Sequence, residues 1–181
     1  MEQKENKVLL HACCAICSAY PIELLKDMGY VVVVYFYNPN IYPASEYQKR
    51  LEAERKLCKA MDVELIEEIY DENDFLKYVK GYEDCPEKGD RCPLCFELRL
   101  RKSAETAKNL GIKNFTTSIV ISPHKNFTLL SGIGKNIARD TNLNYLDIDF
   151  KKQDGFLKTN IIAKDLNLYR QNYCGCRFSQ R

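Results

Sequence analysis

The chain has 181 residues, of which 45% are hydrophobic and 29% are charged, and its formal net charge is +2. This length predicts one domain over residues 1–181 with a full hydrophobic core, and the composition excludes a largely disordered chain. The small net charge excludes nucleic-acid binding by a globally basic surface, so such a partner would need local basic patches. The first apolar run, Val8 to Leu10, is too short for a signal peptide or a membrane span. We therefore expect a cytoplasmic protein with no membrane partner.

Apolar runs alternate with amphipathic segments along the chain. The first run predicts a buried strand, and the next segment predicts a helix that Ser18 caps and Gly29 ends. Further strands are predicted at 31–37, 63–69, 116–121 and 145–148, and further helices at 45–61, 75–79, 92–110 and 127–141. This alternation predicts an α/β fold with a mostly parallel sheet of about five strands and helices on both faces, as in Rossmann-like proteins. Residues 170–181 are expected to form an irregular tail.

Seven of the nine cysteines form three clusters, which are Cys13-Cys14-Ala-Ile-Cys17, Cys92-Pro-Leu-Cys95 and Cys174-Gly-Cys176. In parallel α/β sheets, ligands bind at the carboxyl edge, where the first strand leads into its helix. The first cluster lies there, in the place of the glycine-rich loop of nucleotide-binding proteins, and this sequence contains no such loop. The second cluster begins a predicted helix and the third lies in the predicted tail. The sequence therefore predicts a cysteine-rich site at the carboxyl edge.

The cysteine spacing leaves three kinds of chemistry open. Clustered cysteines in a reducing cytoplasm favour metal binding or a catalytic dithiol over structural disulfides. Four thiolates suffice for a tetrahedral zinc or a 4Fe-4S cluster, and the 74 residues between Cys17 and Cys92 disfavour a ribbon-like zinc site. A thioredoxin-like dithiol at Cys14 and Cys17 would leave the second cluster unexplained. Seven thiols exceed the needs of one metal centre, so a redox pair at Cys174 and Cys176 or a second metal is expected in addition.

Polar residues near other predicted strand ends are candidates for substrate or metal binding. Asn38 and Asn40 follow the second strand and supply amides suited to a pocket for a nucleic-acid base. Lys125 and Asn126 follow the fourth strand and could contact a phosphate or a base, or only cap a helix. Asp149 follows the fifth strand, where its carboxylate could act as an acid, a metal ligand or a cap.

His11 and two basic groups have both functional and purely structural interpretations. His11 precedes the first cysteine cluster and could be a metal ligand, a proton donor or a hydrogen-bonded buried histidine. The basic groups could contact nucleic acid or belong to a solvated helix face and a loose tail; they are Arg99, Arg101 and Lys102, and Arg170, Arg177 and Arg181.

Five segments, taken together, resemble the QueH family of epoxyqueuosine reductases. They run in family order from residue 9 to residue 179 and are Leu9-Leu10-His-Ala-Cys-Cys-Ala-Ile-Cys17, Phe36-Tyr-Asn-Pro-Asn-Ile41, Arg91-Cys-Pro-Leu-Cys-Phe-Glu-Leu-Arg-Leu100, Ile121-Ser-Pro-His-Lys-Asn126 and Leu168-Tyr-Arg-Gln-Asn-Tyr-Cys-Gly-Cys-Arg-Phe-Ser179. His124 stands where the family pattern leads us to expect an aromatic residue such as tyrosine. The resemblance implies an oxidoreductase that removes the epoxide oxygen from epoxyqueuosine at the tRNA wobble position without cobalamin.

The resemblance also implies roles for the cysteines. It places a 4Fe-4S cluster on four of them, Cys13, Cys14, Cys92 and Cys95. It places a redox-active pair on Cys174 and Cys176. The role of Cys17 stays open: because adjacent Cys13 and Cys14 point in different directions, one of them could bind a second mononuclear iron or zinc with Cys17 and a nearby carboxylate, for which Asp149 is the candidate, instead of joining the cluster. The expected partners are tRNA carrying epoxyqueuosine and an unidentified electron donor.

Two other functions are compatible with the cysteine pattern alone. One is a zinc-stabilised RNA-binding module without catalytic activity, and the other is a metal-free thiol-disulfide oxidoreductase. Iron and zinc content distinguishes them from an iron-sulfur reductase.

Overall fold

β1 (Lys7–His11) is the central strand of a five-stranded parallel sheet with the order β3-β2-β1-β4-β5. The other strands are β2 (Val31–Phe36), β3 (Glu64–Glu67), β4 (Asn114–Thr117) and β5 (Asn144–Tyr145). The computed structural model describes residues 6–180. Strands β1, β2 and β3 follow one another toward one edge of the sheet, and β4 and β5 lie on the other side of β1. The strand order therefore reverses between β1 and β4, and the topological switch point lies at the carboxyl ends of these two strands. Open α/β sheets bind their ligands at this point.

Six α-helices connect and cover the strands in the part of the chain that the structure describes. They are α1 (Ala15–Asp27), α2 (Ala44–Met61), α3 (Glu72–Tyr78), α4 (Arg91–Asn109), α5 (Phe127–Thr141) and α6 (Gly155–Asp165). α1 packs against α2 and α6, whereas α4 packs against α3 and α5, so helices cover both faces of the sheet. The predicted α/β fold is therefore confirmed. Within residues 6–180, no helix is both long and apolar enough to cross a membrane.

The beginning of α1 differs from the prediction. Cys14, not Ser18, caps this helix, because the Cys14 sulfur accepts a hydrogen bond from the Cys17 backbone N–H at 3.4 Å. Ser18 lies inside the helix, where its hydroxyl donates to the Cys14 carbonyl oxygen at 3.0 Å. Gly29, with a φ of 88°, follows the end of the helix as predicted. The capping cysteine thus belongs to the same cluster as the predicted metal ligands.

Two other elements depart from the sequence prediction. The predicted strand at 116–121 ends at Thr117, and Ser118–Ile121 forms a 3-10 helix instead. α6 was not predicted, because its first residues follow a polar run and Gly155 resembles a loop residue. Gly155 is required there for packing, since a Cβ atom at this position would lie 1.7 Å from the Phe150 carbonyl oxygen.

The tail is irregular apart from a 3-10 helix at Arg177–Ser179, and buried Arg50 holds it against the sheet edge. The Arg50 guanidinium donates to the carbonyl oxygens of Tyr173 at 3.1 Å and Cys174 at 3.0 Å. Its Nε donates to Glu46 at 2.8 Å, which neutralises the buried charge. The tail therefore lies on the domain, although the assignment of all residues 1–181 to one domain stays a prediction.

A buried carboxyl group lies between α1 and α2. Glu54 is fully buried, and neither of its side-chain oxygens has a hydrogen-bond partner within residues 6–180. Burial raises the pKa of Glu54 to about 8, because it disfavours the charged form more than the neighbouring Ser18 hydroxyl favours it. The carboxyl is therefore mostly protonated at neutral pH in the folded chain.

This shift predicts a pH-dependent stability that Glu54→Gln removes. The folded chain holds the proton more tightly than the unfolded chain, so the stabilisation is complete below about pH 4.5 and is lost as the pH rises through about 8. We expect the free energy of unfolding of the unchanged chain to fall by about 4 kcal/mol across this range relative to Glu54→Gln. Urea unfolding of the metal-free proteins at several pH values measures it. Glu52→Gln, at an exposed glutamate of the same helix, is the control, and parallel curves for Glu54→Gln and the unchanged chain would contradict the account.

Candidate active site

His11 joins the carboxyl ends of the three central strands. It lies at the end of β1, its Nε2 is 3.0 Å from the Tyr37 carbonyl oxygen after β2, and its Nδ1 is 3.0 Å from the Thr117 hydroxyl of β4. A carbonyl oxygen can only accept, so Nε2 carries the proton and Nδ1 accepts from Thr117. Burial, and then the charge of Arg99, lowers the pKa of His11 to about 4. Of the three interpretations, the structure shows the neutral, hydrogen-bonded buried histidine.

The sulfur atoms of Cys13, Cys14 and Cys17 lie within 4.8 Å of one another at the start of α1. The Cys13 backbone N–H donates to the Ser118 hydroxyl at 3.3 Å, which fixes this cluster beside the turn after β4. Hydrogen bonds from Cys14 and Cys17 hold the pKa of Cys13 well below its usual range, although burial opposes this shift. The same interactions raise the pKa of Cys14 and Cys17. The cluster therefore concentrates negative charge on the Cys13 sulfur, and a thiolate is the form that binds metals.

Of the other clustered cysteines, Cys92 and Cys95 lie at the start of α4, and Cys174 and Cys176 lie in the tail. Cys95 and Cys176 are buried in one small apolar cluster with Phe75 and Val79. Burial raises the pKa of Cys95 to about 11 and also raises the pKa of Cys92. These thiols therefore prefer the neutral form in the absence of a metal.

Arg99, on α4, lies between these two sets of thiols. Its side chain is buried, its Nε donates to the Cys95 carbonyl oxygen at 3.2 Å, and its Nη1 is 3.4 Å from Asn38 Oδ1. Burial alone would lower the pKa of Arg99, but the sulfurs of Cys95, Cys13 and Cys174 raise it above its usual value. Arg99 is thus a buried cation that interacts with all three cysteine clusters.

The predicted metal ligands are only partly brought together. The group of ligand atoms close enough to share a metal contains Cys13, Cys14 and Cys17. Cys92 and Cys95 are not members of this group, so the four-cysteine ligand set stays a prediction. Asp149 is not a member either; it accepts a hydrogen bond from the Lys151 backbone N–H at 3.2 Å and lies 3.9 Å from the Lys151 ammonium. All nine cysteines lie within residues 6–180, and none of them forms a disulfide bond.

A cavity of about 1060 Å³ opens beside Cys13, Cys17 and Cys174. Its walls carry the positively charged or basic side chains of Arg50, Lys88, Arg99, His124, Lys125 and Arg170. Glu87 is the carboxylate among the lining residues. A cavity with thiols on one wall and an excess of cations suits an anionic substrate that undergoes redox or thiol chemistry.

The residues predicted to bind substrate have different positions. Asn38 and Asn40 both line the cavity, and Asn38 is held by a hydrogen bond from its Nδ2 to the Ala12 carbonyl oxygen at 2.8 Å. Lys125 lines the cavity and its ammonium lies 3.2 Å from the Cys174 sulfur. Asn126 caps α5 by accepting from the Leu129 backbone N–H at 3.1 Å, and it is not among the lining residues. Its helix-capping interpretation is therefore the one that the contacts support.

The first basic group does not form a surface patch. Arg99 is buried, Arg101 pairs with Glu97 at 2.9 Å, and Lys102 lies 3.8 Å from Glu68. In the second group, Arg170 lines the cavity, Arg177 pairs with Glu72 at 2.7 Å, and Arg181 lies outside the described residues. Of these six residues, Arg99 and Arg170 line the cavity.

Sequence reasoning missed two residues that shape the site, Arg50 and Gln171. The spacing of Glu46 and Arg50 along α2 indicates a helical ion pair, but it gives no sign that Arg50 reaches the tail. Gln171 lies within the last of the five segments and lines the cavity beside the thiols. Its position follows only from the folding of the tail onto the sheet edge.

Comparison with known proteins gives a consistent relationship over nearly the whole chain. The family profile described as "Epoxyqueuosine reductase QueH" matches residues 8–181. The relative of that name from Streptococcus pyogenes serotype M1 is 35% identical over 186 residues, covering 99% of this chain and 72% of the relative. The relatives from Staphylococcus epidermidis and Dehalococcoides mccartyi are 38% and 39% identical, cover 96% of this chain in each case, and are themselves covered over 76% and 92%.

A solved structure has a similar fold. It is the U34-tRNA thiolase NcsA from Methanococcus maripaludis with its [4Fe-4S] cluster, and it superposes with a TM-score of 0.61 at 15% identity. The match covers 99% of this chain and 63% of the thiolase chain. At this identity the likeness concerns the fold alone. The profile match over residues 8–181, together with relatives that are 35% to 39% identical, shows that this chain belongs to the epoxyqueuosine reductase QueH family.

Proposed function

We propose that the chain is an epoxyqueuosine reductase whose reaction takes place in the cavity beside Cys13, Cys17 and Cys174. The observation that carries this proposal is the convergence of these thiols and several cations on one cavity, in a chain that belongs to this family. The substrate is epoxyqueuosine within tRNA, and the product is the corresponding alkene, queuosine. The electron donor that restores the enzyme is a further partner of unknown identity.

The reaction requires two electrons and two protons. Removal of the oxygen breaks two C–O bonds, forms a C=C bond and releases the oxygen as water. A dithiol that becomes a disulfide supplies two electrons and two protons, so the atoms and charges balance without another reductant in a single turnover. We assign this role to Cys174 and Cys176.

Lys125 supports the role of Cys174. Its ammonium lies 3.2 Å from the Cys174 sulfur, and because the ammonium is charged this contact is a charge-assisted hydrogen bond. Burial alone would lower the pKa of Lys125, but the interaction with Cys174 raises it, and the lysine stays charged. The contact places a positive charge beside the Cys174 sulfur, and it engages the ammonium, which leaves less reason to assign Lys125 to a tRNA phosphate.

The thiols also fit an iron-sulfur cluster by donor type. Cys13 and Cys14 lie in the group whose sulfurs are within 4.8 Å, and the lowered pKa of Cys13 favours the thiolate that a cluster requires. We propose Cys13, Cys14, Cys92 and Cys95 as the ligands of a 4Fe-4S cluster. When bound, such a cluster would supply single electrons and a Lewis-acidic iron. The fold that this chain shares with a thiolase that carries such a cluster is compatible with this assignment.

A second mononuclear iron or zinc at Cys17 and Asp149 is a separate proposal. It rests on the sequence pattern, and the contact between Cys17 and the other two thiols of the first cluster favours Cys17 more than Asp149. Measurement of the iron and zinc content of the purified chain tests this proposal.

The tRNA would bind with the modified base in the cavity and its phosphates near the exposed cations at the rim, Lys88, His124 and Arg170. Single-stranded loops are recognised through bases that leave the stack and enter a pocket. A cytoplasmic location is proposed on the same basis, because tRNA and reduced thiols occur together there.

Anaerobic turnover tests the proposed function. The purified chain is incubated with tRNA that carries epoxyqueuosine and with dithionite, and the nucleosides are measured by mass spectrometry. We expect brown protein with about four irons per chain and conversion of epoxyqueuosine to queuosine. Colourless protein with one zinc and no conversion would favour the RNA-binding module, and metal-free protein would favour the thiol-disulfide oxidoreductase.

The ligand set is tested by single cysteine substitutions. We expect Cys13→Ser and Cys92→Ser each to lose most of the bound iron and the brown colour, because both sulfurs are cluster ligands. Cys85→Ser is the matched control, since Cys85 lies outside the three clusters, and it keeps the iron. Iron content and visible absorbance after anaerobic purification are the measurements. Retention of iron in Cys92→Ser together with its loss in Cys17→Ser would replace the proposed ligands with Cys13, Cys14 and Cys17.

The tail cysteines are expected to be needed for turnover but not for cluster assembly. The double variant Cys174→Ser, Cys176→Ser keeps its iron and loses conversion of epoxyqueuosine, because it lacks the dithiol that supplies the electron pair. Iron content and product formation are measured on the same anaerobic preparation. Loss of the cluster would make these residues ligands, and unchanged turnover would remove them from the reaction.

A further inference from the structure

Two buried amides that line the cavity have an oxygen without a hydrogen-bond partner among residues 6–180. They are Asn40 Oδ1, in the loop after β2, and Gln171 Oε1, in the tail. Both oxygens are buried, and the Asn40 side chain is almost fully enclosed, with a residue exposure of 2%. Leaving a buried polar group unpaired costs about 1–3 kcal/mol. Two such groups on one cavity indicate hydrogen bonds that are made to a ligand.

Two other amides on the same cavity, Asn38 and Gln180, do have partners. Asn38 donates to the Ala12 carbonyl oxygen at 2.8 Å, and its Oδ1 is 3.4 Å from Arg99 Nη1. Gln180 donates to the Tyr42 carbonyl oxygen at 3.3 Å. The unpaired oxygens are therefore a property of Asn40 and Gln171 and not of the cavity wall in general.

Both amides can present an oxygen to a ligand without a change of the backbone. The oxygen and the NH₂ group of a side-chain amide have nearly the same shape, and rotation of the amide exchanges them. The two segments that carry the amides are also fixed to each other, because the Tyr42 backbone N–H donates to the Gly175 carbonyl oxygen at 2.8 Å. Because both oxygens are buried in the described orientation, this rotation is what would turn them toward a ligand, on a wall that the contact between Tyr42 and Gly175 fixes.

An amide oxygen needs a donor, and this requirement selects among the parts of the substrate. Phosphate oxygens only accept hydrogen bonds, and the cations of the cavity suit them better. The 7-deazaguanine base of epoxyqueuosine carries an N1–H and a 2-amino group side by side, which are donors for two neighbouring acceptors. Neutral amides also avoid the cost of burying a carboxylate in this position.

We propose that Asn40 and Gln171 accept hydrogen bonds from the N1–H and 2-amino groups of the base and thereby select a guanine-type base. This inference rests on the proposed function, because the epoxyqueuosine base defines the ligand. Hydrogen-bond acceptors that are left unpaired by a wrong base give stronger discrimination than apolar contacts. The two residues determine specificity and take no part in the transfer of electrons.

The test uses two anticodon stem-loops that differ only in the wobble base. One carries 7-deazaguanine and the other carries 7-deazaadenine, which has neither the N1–H nor the 2-amino group, and their dissociation constants are measured by fluorescence anisotropy at matched salt. We expect the unchanged chain to prefer the first loop by about tenfold, as the loss of a paired donor at a buried acceptor predicts. Asn40→Leu and Gln171→Met should each lower this preference to about threefold or less.

Two comparisons keep the result interpretable. Gln180→Met is the matched control for Gln171→Met, because the Gln180 amide is already paired with Tyr42, and it should keep the preference. Circular dichroism and thermal melting verify that each variant folds, and Gln171, which is only half-buried, provides a test if Asn40→Leu does not. Equal loss of affinity for both loops in Gln171→Met would assign the amide to a group that both loops share, such as a ribose, and would overturn the proposal.

Failure of this inference can be separated from failure of the proposed function. Absence of any preference in the unchanged chain, including failure to bind either loop, would overturn the base selection even if epoxyqueuosine in tRNA is reduced. A clear preference that Asn40→Leu or Gln171→Met removes would support the base selection even if no reduction is seen. The binding assay needs neither turnover nor an electron donor.

Discussion

The buried guanidinium of Arg99 constrains the whole site. A charge in the protein interior costs several kcal/mol unless an opposite charge or several hydrogen bonds compensate it. In the described chain, Arg99 forms no ion pair with a carboxylate, and its direct hydrogen bonds go to the Cys95 carbonyl and Asn38. The neighbouring sulfurs of Cys95, Cys13 and Cys174 raise the pKa of Arg99, and Cys13 is the thiol among them whose own pKa is held well below its usual range. A Cys13 thiolate can therefore balance the buried cation, and a thiolate is the form that binds metals.

The charge of a second buried arginine, Arg50, is compensated in a different way. Arg50 has its own carboxylate, Glu46, and uses its remaining donors to hold the Tyr173 and Cys174 carbonyl oxygens. Its charge is neutralised locally, so it acts as a positioning residue that brings the tail to the cavity. Arg99 organises the charge of the site, whereas Arg50 organises its geometry. Together they place a cysteine that is distant in sequence beside the cluster at the end of β1.

The sequence predicted the parts of the fold that depend on local patterns. The run Val31 to Tyr37 is apolar on both faces and could only be a buried strand, and the periodicity of 127–141 matched α5 at both ends. The start of α1 was misplaced because Ser18 is a common cap, whereas the actual cap is the Cys14 sulfur. α6 was missed because Gly155 is selected by close contact with Phe150, which no local pattern reveals.

The site was predictable in composition but not in arrangement. Spacing identified the three cysteine clusters, and the parallel sheet predicted the edge on which they meet. It could not show that Cys92 and Cys95 lie outside the group of sulfurs that are close enough to share a metal, since this depends on how α4 packs against the sheet edge. It also could not distinguish Asn38, which is held by Ala12 and Arg99, from Asn40, whose oxygen is unpaired. Such differences arise from contacts between segments that are far apart in the chain.

The central claim is that the proposed dithiol of Cys174 and Cys176 supplies the electron pair at a cavity that is also lined by Cys13, one of the proposed metal ligands. It is tested most directly by a single-turnover experiment in which the fully reduced chain receives epoxyqueuosine tRNA anaerobically, without an external reductant. Queuosine is quantified by mass spectrometry, and disulfides are mapped after the free thiols are alkylated. The account predicts one disulfide between Cys174 and Cys176 for each queuosine formed. Formation of queuosine while both cysteines remain fully reduced would contradict it.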